Sequence, residues 1–293
     1  MSSGSEQPPS TYLTTREVAE LIRVKERKVY DLAAAGEIPH RRITGKLLFP
    51  RDEIRAWLHG DVPEDSQQRP SVITGSHDPL LEWAIRESAC GLATLFNGSS
   101  DGLDTWVSGK AGACGLHLRE NDDWNISRLD RANLHGAVLV NWVHRRRGLL
   151  LGESARDKVT GIADLRGWRV ARRQEGAGAQ MLFEELLRRE NISAEEILPV
   201  AGPAHTESDA AAAVVSGEAD ATLGIEAMAR RFRLEFVPVI DEVFDLLIDR
   251  RTYFQPPMQA LLDFTRTPNF TGKAEAMGGY DIADLGRVRW LSA

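Results

Sequence analysis

Residues 12–58 read YLTTREVAELIRVKERKVYDLAAAGEIPHRRITGKLLFPRDEIRAWL and contain a complete pattern of short helices and a hairpin. Thr14 and Glu17 have the spacing of a capping box, which starts a helix. The apolar residues that follow at helical spacing are Val18, Leu21 and Ile22. This part of the chain therefore predicts a small helical unit with one buried face.

A second helix follows almost at once in the same stretch, with Val29 and Leu32 in its buried stripe. Gly36 is placed to end that helix. Two short apolar runs around residues 44–46 predict a hairpin, and Pro50 predicts the start of a third helix. Two helices joined by a tight turn and followed by a hairpin are typical of a winged helix-turn-helix, whose second helix enters the major groove of DNA.

Six cations of this stretch can neutralise DNA phosphates. They are Lys25, Arg27, Lys28, Arg41, Arg42 and Lys46. Residues 11–60 carry 10 Lys and Arg against 7 Asp and Glu, whereas the whole chain has a net charge of −7. A basic unit on an acidic body favours a DNA reader joined to a sensor. The alternative is a small helical domain whose charges only keep it soluble.

The stretch resembles the excisionase-type and MerR-type winged helix-turn-helix family over its whole length. The segments that carry the resemblance are LTTREVAELIRV, KVYDLAAAGEIPHRRI and FPRDEIRAWL. The resemblance implies that the second helix reads bases through Lys25, Arg27 and Lys28. It also places Arg41 and Arg42 in the wing, so double-stranded DNA is the expected partner.

The sequence outside this unit predicts a cytoplasmic protein with a linker before its second domain. Residues 1–10 are expected to be a disordered tail without the features of a signal peptide, and residues 61–70 a polar linker. No apolar run reaches membrane-spanning length. The two cysteines, Cys90 and Cys114, lack metal-type spacing and indicate a reducing compartment.

Residues 71–293 alternate short apolar runs with amphipathic helices, which predicts an α/β domain with a mostly parallel sheet. The runs begin at Val72, Leu92, Trp168 and Ala221, and each leads through a loop of small residues into a helix. Free backbone N–H groups and the helix dipole make such junctions anion sites. Ligands of open α/β sheets bind at these strand ends.

The domain resembles the type II periplasmic-binding-protein fold, whose relatives include molybdate- and tungstate-binding proteins. The segments that carry the resemblance are GSHD (75–78), GSSDGL (98–103), ACGLHL (113–118), RQEGAG (173–178), HTES (205–208), GEADATLGI (217–225) and GGYD (278–281). The fold class is therefore an α/β main domain of two lobes with a small N-terminal winged helix-turn-helix. Lobe one is expected at 71–145 and 245–293 and lobe two at 146–244, with hinge segments at 138–143 and 237–247.

The resemblance implies a set of ligand-binding residues in the cleft between the lobes. They are Ser76, Ser99, Ser100, Arg173, Gly176, Ala177, Gly178, His205, Thr206 and Ile225. Relatives have hydroxyl residues and an arginine where this chain has Ala177, Ala179 and Gln180, which weakens the case for a small dianion.

Each of these residues also has a plainer interpretation. The serines can be helix caps, and the glycines can serve close packing. His77 and Asp78 can form an acid–base couple, or an N-cap and a loop contact. The run at 145–147, three arginines, can touch DNA, or be solvated or stabilise the hinge.

These patterns together predict a ligand-responsive one-component transcription regulator. The expected effector is a small anionic or polar ligand, either a carboxylate or an oxyanion such as molybdate or tungstate, and a homodimer is expected because one recognition helix makes few contacts. We expect no catalytic residue, no metal site and no other cofactor, because the chain lacks the common motifs of enzymes. An enzyme on the same fold and an architectural excisionase-like DNA binder are the alternatives.

Overall fold

The computed structural model describes residues 11–43, 45–58, 68–120, 122–132, 134–198 and 200–292. The predicted tail (1–10), most of the predicted linker (61–67) and Thr44 of the predicted hairpin turn lie outside the described residues. The chain divides into two compact units, residues 1–67 and 68–293, here called the amino-terminal unit and the body.

The amino-terminal unit contains three helices and a small antiparallel sheet of strand order β1-β3-β2. Its elements are β1 (Tyr12–Leu13), α1 (Thr15–Leu21), α2 (Glu26–Ala34), β2 (Arg41–Ile43), β3 (Lys46–Pro50) and α3 (Arg51–Leu58). The predicted helices and hairpin are confirmed. The two-residue strand β1 is an addition that the sequence did not predict.

Local interactions fix the bounds of the first two helices. The capping box is confirmed, since the Thr14 hydroxyl accepts from the Glu17 N–H and the Glu17 carboxylate accepts from the Thr14 N–H. Gly36 follows α2 with a φ of +71°, a value that favours glycine, and the helix ends there. The buried apolar residues of the unit, which form its core, are Leu13, Val18, Ala19, Val29, Ala33, Ile38, Phe49 and Ile54.

The body begins with five short strands, three helices and a long strand. These are β4 (Val72–Gly75), α4 (Pro79–Ser88), β5 (Ala93–Phe96), α5 (Ser99–Val107), β6 (Ala113–Leu116), β7 (Arg119–Glu120), β8 (Asp123–Trp124), α6 (Ile126–Ala132) and the long strand β9 (Ala137–Leu151). Next come β10 (Val170–Ala171), α7 (Gly178–Arg189), α8 (Glu207–Val215), β11 (Ala221–Ile225), α9 (Glu226–Phe232) and a second long strand, β12 (Glu235–Asp249). The last elements are α10 (Arg250–Tyr253), α11 (Pro256–Phe264), α12 (Pro268–Met277), β13 (Tyr280–Asp281) and β14 (Val288–Leu291).

The main sheet of the body is mixed, so the prediction of a mostly parallel sheet was wrong. Its order is β10-β11-β9-β12-β6-β4-β5, and β13 and β14 also pair with β9. Strand β4 is parallel to β5 and β6, and β10 is parallel to β11, as strand–loop–helix repeats require. Strands β9 and β12 lie outside those local repeats, and they are antiparallel to each other, to β11 and to β6.

Separate apolar cores lie toward the two ends of the long strands β9 and β12. One core packs β4 and α4 against the C-terminal helices through Ile73, Leu80 and Phe270. Another packs β11 against α7 through Leu182 and Leu223. We call strands β4–β6 with α4, α5, α11 and α12 the first subdomain, and β10 and β11 with α7–α9 the second subdomain. Strands β9 and β12 carry residues of both cores and join the two.

Candidate functional site

A small cavity of about 10 Å³ lies where the loops of the two subdomains meet, large enough for one water molecule. Four of the predicted ligand-binding residues line it: Ser76, Arg173, Ala177 and His205. The residues outside that prediction that line it include His77, His117 and Glu207.

The loops around this cavity are in direct contact, so the cleft is closed. The Ser100 N–H donates to the Gly176 carbonyl at 3.3 Å. The hydroxyls of Ser76 and Ser99 are 2.6 Å apart, and both side chains are buried. A Cβ atom added to Gly178 would lie 2.9 Å from the His117 carbonyl oxygen. Only glycine therefore fits at the first position of α7 in this closed arrangement.

Two helices begin at the contact between the loops. Helix α5 starts after Gly98 and α7 after Ala177, and neither cap residue donates or accepts a side-chain hydrogen bond at its helix start. The first N–H groups of a helix lack partners within the helix and carry partial positive charge. The start of α7 has no acidic residue in its first turn and gives the cleft a positive electrostatic character, whereas Asp101 in the first turn of α5 partly offsets that of α5.

The remaining predicted ligand-binding residues lie beside the cavity or away from it. The Ser100 hydroxyl points to Met181 Sδ at 3.7 Å, and Gly176 borders a larger open groove of about 1250 Å³. Thr206 caps α8 by accepting from the Asp209 N–H at 3.0 Å. Ile225 is buried in an apolar cluster with α9.

A cluster of buried charges, which the sequence did not predict, lies next to the cavity. Arg147 donates through Nε to Glu242 at 2.6 Å and through Nη2 to Glu207 at 2.9 Å. Arg145 donates to Glu242 through Nε and to Asp78 at 2.7 Å. All five side chains are at most 1% exposed, so their charges interact with little screening by water.

Three further residues join this charge cluster. Arg173 Nη1 lies 3.1 Å from a Glu207 oxygen, and the Tyr280 hydroxyl donates to Asp78 at 2.9 Å. His117 Nδ1 lies 2.9 Å from Glu242. The cluster thus joins β9 and β12 to loops of both subdomains. Among its described members, three arginines face three carboxylates.

The protonation states in the cluster follow from burial and pairing. Burial alone would raise the pKa of Glu207, but Arg147 and Arg173 outweigh it and lower that pKa to about 2. Burial would likewise raise the pKa of Glu242, but Arg145 and Arg147 outweigh it and hold that pKa well below its usual value. Burial lowers the pKa of His117, against the attraction of Glu242, so His117 is neutral near pH 7 and its Nδ1–H donates to Glu242.

Several polar atoms of the cluster have no hydrogen-bond partner within the part of the chain that the structure describes. They are Glu207 Oε2, Arg145 Nη2 and Arg147 Nη1. Unpaired buried polar atoms are costly, and of these three residues Glu207 lines the cavity.

The sequence did contain one signal for the buried arginines. Side chains alternate between the two faces of a strand, so Arg145 and Arg147 share one face of β9 and Arg146 takes the other. Arg146 is exposed and pairs with Glu226. Of the alternatives for this run, solvation therefore applies to Arg146, and the buried positions of Arg145 and Arg147 in the joining strand agree with a hinge-stabilising role. The N-cap interpretation of Asp78 is confirmed, since it accepts from the Leu81 N–H at 2.8 Å.

The predicted DNA-binding cations of the amino-terminal unit are exposed. Lys25, Arg27 and Lys28 lie at the start of α2, and Arg42 and Lys46 lie on the hairpin. Arg41 instead pairs with Glu53 of α3 at 2.8 Å, which neutralises part of its charge.

Comparison with known proteins identifies both parts of the chain. Residues 82–266 match the family described as PBP superfamily domain, and residues 12–61 match the helix-turn-helix domain. The protein YvgK of Bacillus subtilis (strain 168) is 25% identical over 94% of this chain and 96% of its own length. A Clostridium pasteurianum protein encoded in the 5' region of a 2Fe-2S ferredoxin gene is 30% identical over 27% of this chain and 70% of its own.

Solved structures share the fold at low sequence identity. A Clostridium perfringens protein described as a phosphate ABC transporter substrate-binding protein, with bound phosphate, aligns with a TM-score of 0.53 at 13% identity. That alignment covers 74% of this chain and 99% of the other. A cysteine-to-serine mutant of Corynebacterium glutamicum OxyR, with bound H2O2, aligns with a TM-score of 0.51 at 10% identity, over 90% of this chain and 89% of the other.

Among the described residues, no helix has the length and apolar character needed to cross a membrane. The family match extends over more than half of the chain, from within α4 to the end of α11. The chain therefore belongs to the PBP superfamily domain family, and it carries an amino-terminal DNA-binding helix-turn-helix domain.

Proposed function

We propose that this protein is a ligand-responsive transcription regulator rather than an enzyme. Its helix-turn-helix domain binds double-stranded DNA, and its body binds a small anionic or polar ligand, an oxyanion or a carboxylate. The observation that carries the proposal is the polar cavity beside the starts of α5 and α7, with buried Ser76 and Ser99 next to it. The phosphate in the C. perfringens relative of the same fold supports a small anion as one candidate.

The proposed mechanism is a change of cleft shape in the body. Lobe one comprises residues 71–145 and 245–293 and lobe two residues 146–244, joined by β9 and β12. The cavity of the closed cleft holds only one water molecule, so a ligand must enter an open cleft. A ligand changes DNA affinity only through different affinities for the two shapes of the protein.

The proposal includes a homodimer in the cytoplasm. A short recognition helix contacts few base pairs, and two copies on paired half-sites multiply those contacts. Lys25, Arg27 and Lys28 of α2 and Arg42 and Lys46 of the wing are the proposed DNA contacts. We expect Arg41 to contribute less, because it already pairs with Glu53.

Fluorescence anisotropy with the full-length protein tests DNA recognition. We expect tighter binding to its own promoter fragment than to random DNA of equal length. Double replacement of Arg27 and Lys28 by alanine should weaken binding and lower the salt dependence by roughly two phosphate contacts. Arg16→Ala is the matched control, because Arg16 is an exposed cation of α1 paired with Glu20. Equal binding of promoter and random DNA would refute the proposal.

A second experiment tests the sensor. A thermal-shift panel of molybdate, tungstate, phosphate and small carboxylates identifies a ligand, which is then added to the promoter-binding assay. A regulator changes its promoter affinity with that ligand. An architectural DNA binder keeps its in-cell effect when residues 71–293 are deleted, whereas a sensor loses its ligand response.

A further inference from the structure

We propose that the cleft around this cavity, in its open form, binds a small carboxylic acid that carries a hydrogen-bond donor beside its carboxylate, as amino acids and hydroxy acids do, and that it rejects tetrahedral dianions. This inference rests on the proposed function, because it names the ligand class of the same site. It narrows the choice between an oxyanion and a carboxylate.

The buried cluster has no excess of positive side-chain charge. Arg145, Arg147 and Arg173 already face three carboxylates in the described structure, with contacts of 2.6–3.1 Å for the bonds of Arg147 and Arg173. His117 is neutral. A dianion in this site would therefore add two negative charges without a free side-chain cation to balance them.

Hydrogen-bond acceptors line the cavity. Glu207 is 2% exposed and ionised, and it lines the cavity. His117 lines the same cavity and has an acceptor at Nε2, because its Nδ1–H donates to Glu242. A tetrahedral dianion offers these atoms only further acceptors. An ammonium or hydroxyl group donates to them.

The helix starts can hold the carboxylate of the ligand. Ser99 is the first residue of α5, and each helix start has a positive charge of about +0.5, which Asp101 in the first turn of α5 partly offsets. The two ends together supply at most about one positive charge, which falls short of a dianion. The site thus presents donors from the helix starts and serines together with acceptors from Glu207 and His117.

The test is isothermal titration calorimetry of the full-length protein with L-serine, L-alanine, lactate, molybdate and sulfate. We expect at least one of the first three to bind, with molybdate and sulfate at least tenfold weaker. Comparing the amino acids with lactate distinguishes an ammonium from a hydroxyl donor. Glu207→Gln removes the buried negative charge, so it should weaken the carboxylic acid at least tenfold and strengthen molybdate or sulfate at least tenfold.

Two further variants keep the test falsifiable. Glu175→Gln removes an exposed carboxylate from the same loop region and should leave the ranking of ligands unchanged. Glu207→Asp keeps the charge and should still reject dianions. Thermal unfolding of each variant verifies that it is folded.

The proposal is overturned if the wild type prefers molybdate or sulfate, if none of the three carboxylic acids binds, or if Glu207→Gln leaves the ranking unchanged. The promoter-binding assay separates this outcome from failure of the proposed function. A carboxylic acid that binds without changing promoter affinity refutes the regulator alone, and a promoter response to a dianion refutes the ligand class alone.

Discussion

Glu242→Gln tests whether the buried charge cluster stabilises the body. Glu242 is fully buried and accepts hydrogen bonds from Arg145, Arg147 and His117. Glutamine has nearly the same shape, so packing changes little. It leaves the three buried arginines facing only two carboxylates.

The expected magnitude follows from the burial of the partners. Arg145 and Arg147 are at most 1% exposed, so water cannot replace the lost carboxylate. Removing one partner of a buried ion pair costs about 3–5 kcal/mol. A domain of this size loses about 2–4 °C of melting temperature per kcal/mol, so the melting temperature should fall by roughly 6–20 °C.

Urea unfolding followed by tryptophan fluorescence measures this loss, because Trp106 and Trp142 are buried in the body. Asp241→Asn is the matched control, since Asp241 is an exposed neighbour in the same strand and its replacement removes the same charge. The control should change the free energy of unfolding by no more than about 0.5 kcal/mol.

A double-mutant cycle decides whether charge balance is the cause. Arg147→Met alone leaves two arginines against three carboxylates, whereas combining it with Glu242→Gln restores the balance. The double variant should therefore be less destabilised than the sum of the single variants, by roughly 0.5–3 kcal/mol. The reasoning fails if Glu242→Gln is as stable as Asp241→Asn, or if the two effects simply add.

Two further predictions concern pH and the closed cleft. Burial lowers the pKa of the His117 imidazole in the folded protein. The unfolded chain therefore binds a proton at His117 near a pH of about 6.5, whereas the folded protein does not. The free energy of unfolding should fall as the pH drops below about 6.5. His117→Gln should flatten this dependence by up to about 1.4 kcal/mol per pH unit in urea unfolding, and an unchanged profile would contradict the assignment. Gly178→Ala puts a Cβ 2.9 Å from the His117 carbonyl and should cost about 1–3 kcal/mol, measured by thermal unfolding. Gly272 is a helical position with open space, so Gly272→Ala should instead stabilise the protein by about 0.4–1 kcal/mol. Equal effects of Gly178→Ala and Gly272→Ala would argue against the closed contact between Gly178 and His117.

The sequence was sufficient for the amino-terminal unit because its signals are local. The capping box joins residues three apart, the apolar face of α1 repeats within one or two turns, and Gly36 ends α2 through its own backbone conformation. The strand–loop–helix repeats of the body were predictable for the same reason. The direction of the long strands was not predictable, because the pairing of β9 with β12 joins residues about a hundred positions apart.

The sequence by itself thus determined the winged helix, the α/β body and several residues at the cleft, including Ser76 and Arg173. Tertiary structure alone decided which charges are buried and which partners they have. Arg145 meets Glu242 across 97 positions of the chain and Asp78 across 67. A charged residue in a strand has the same local sequence pattern whether its side chain is exposed to water or buried in the body. Only the packing of β9 against β12 and the two subdomains removes water from these side chains and makes their pairing obligatory.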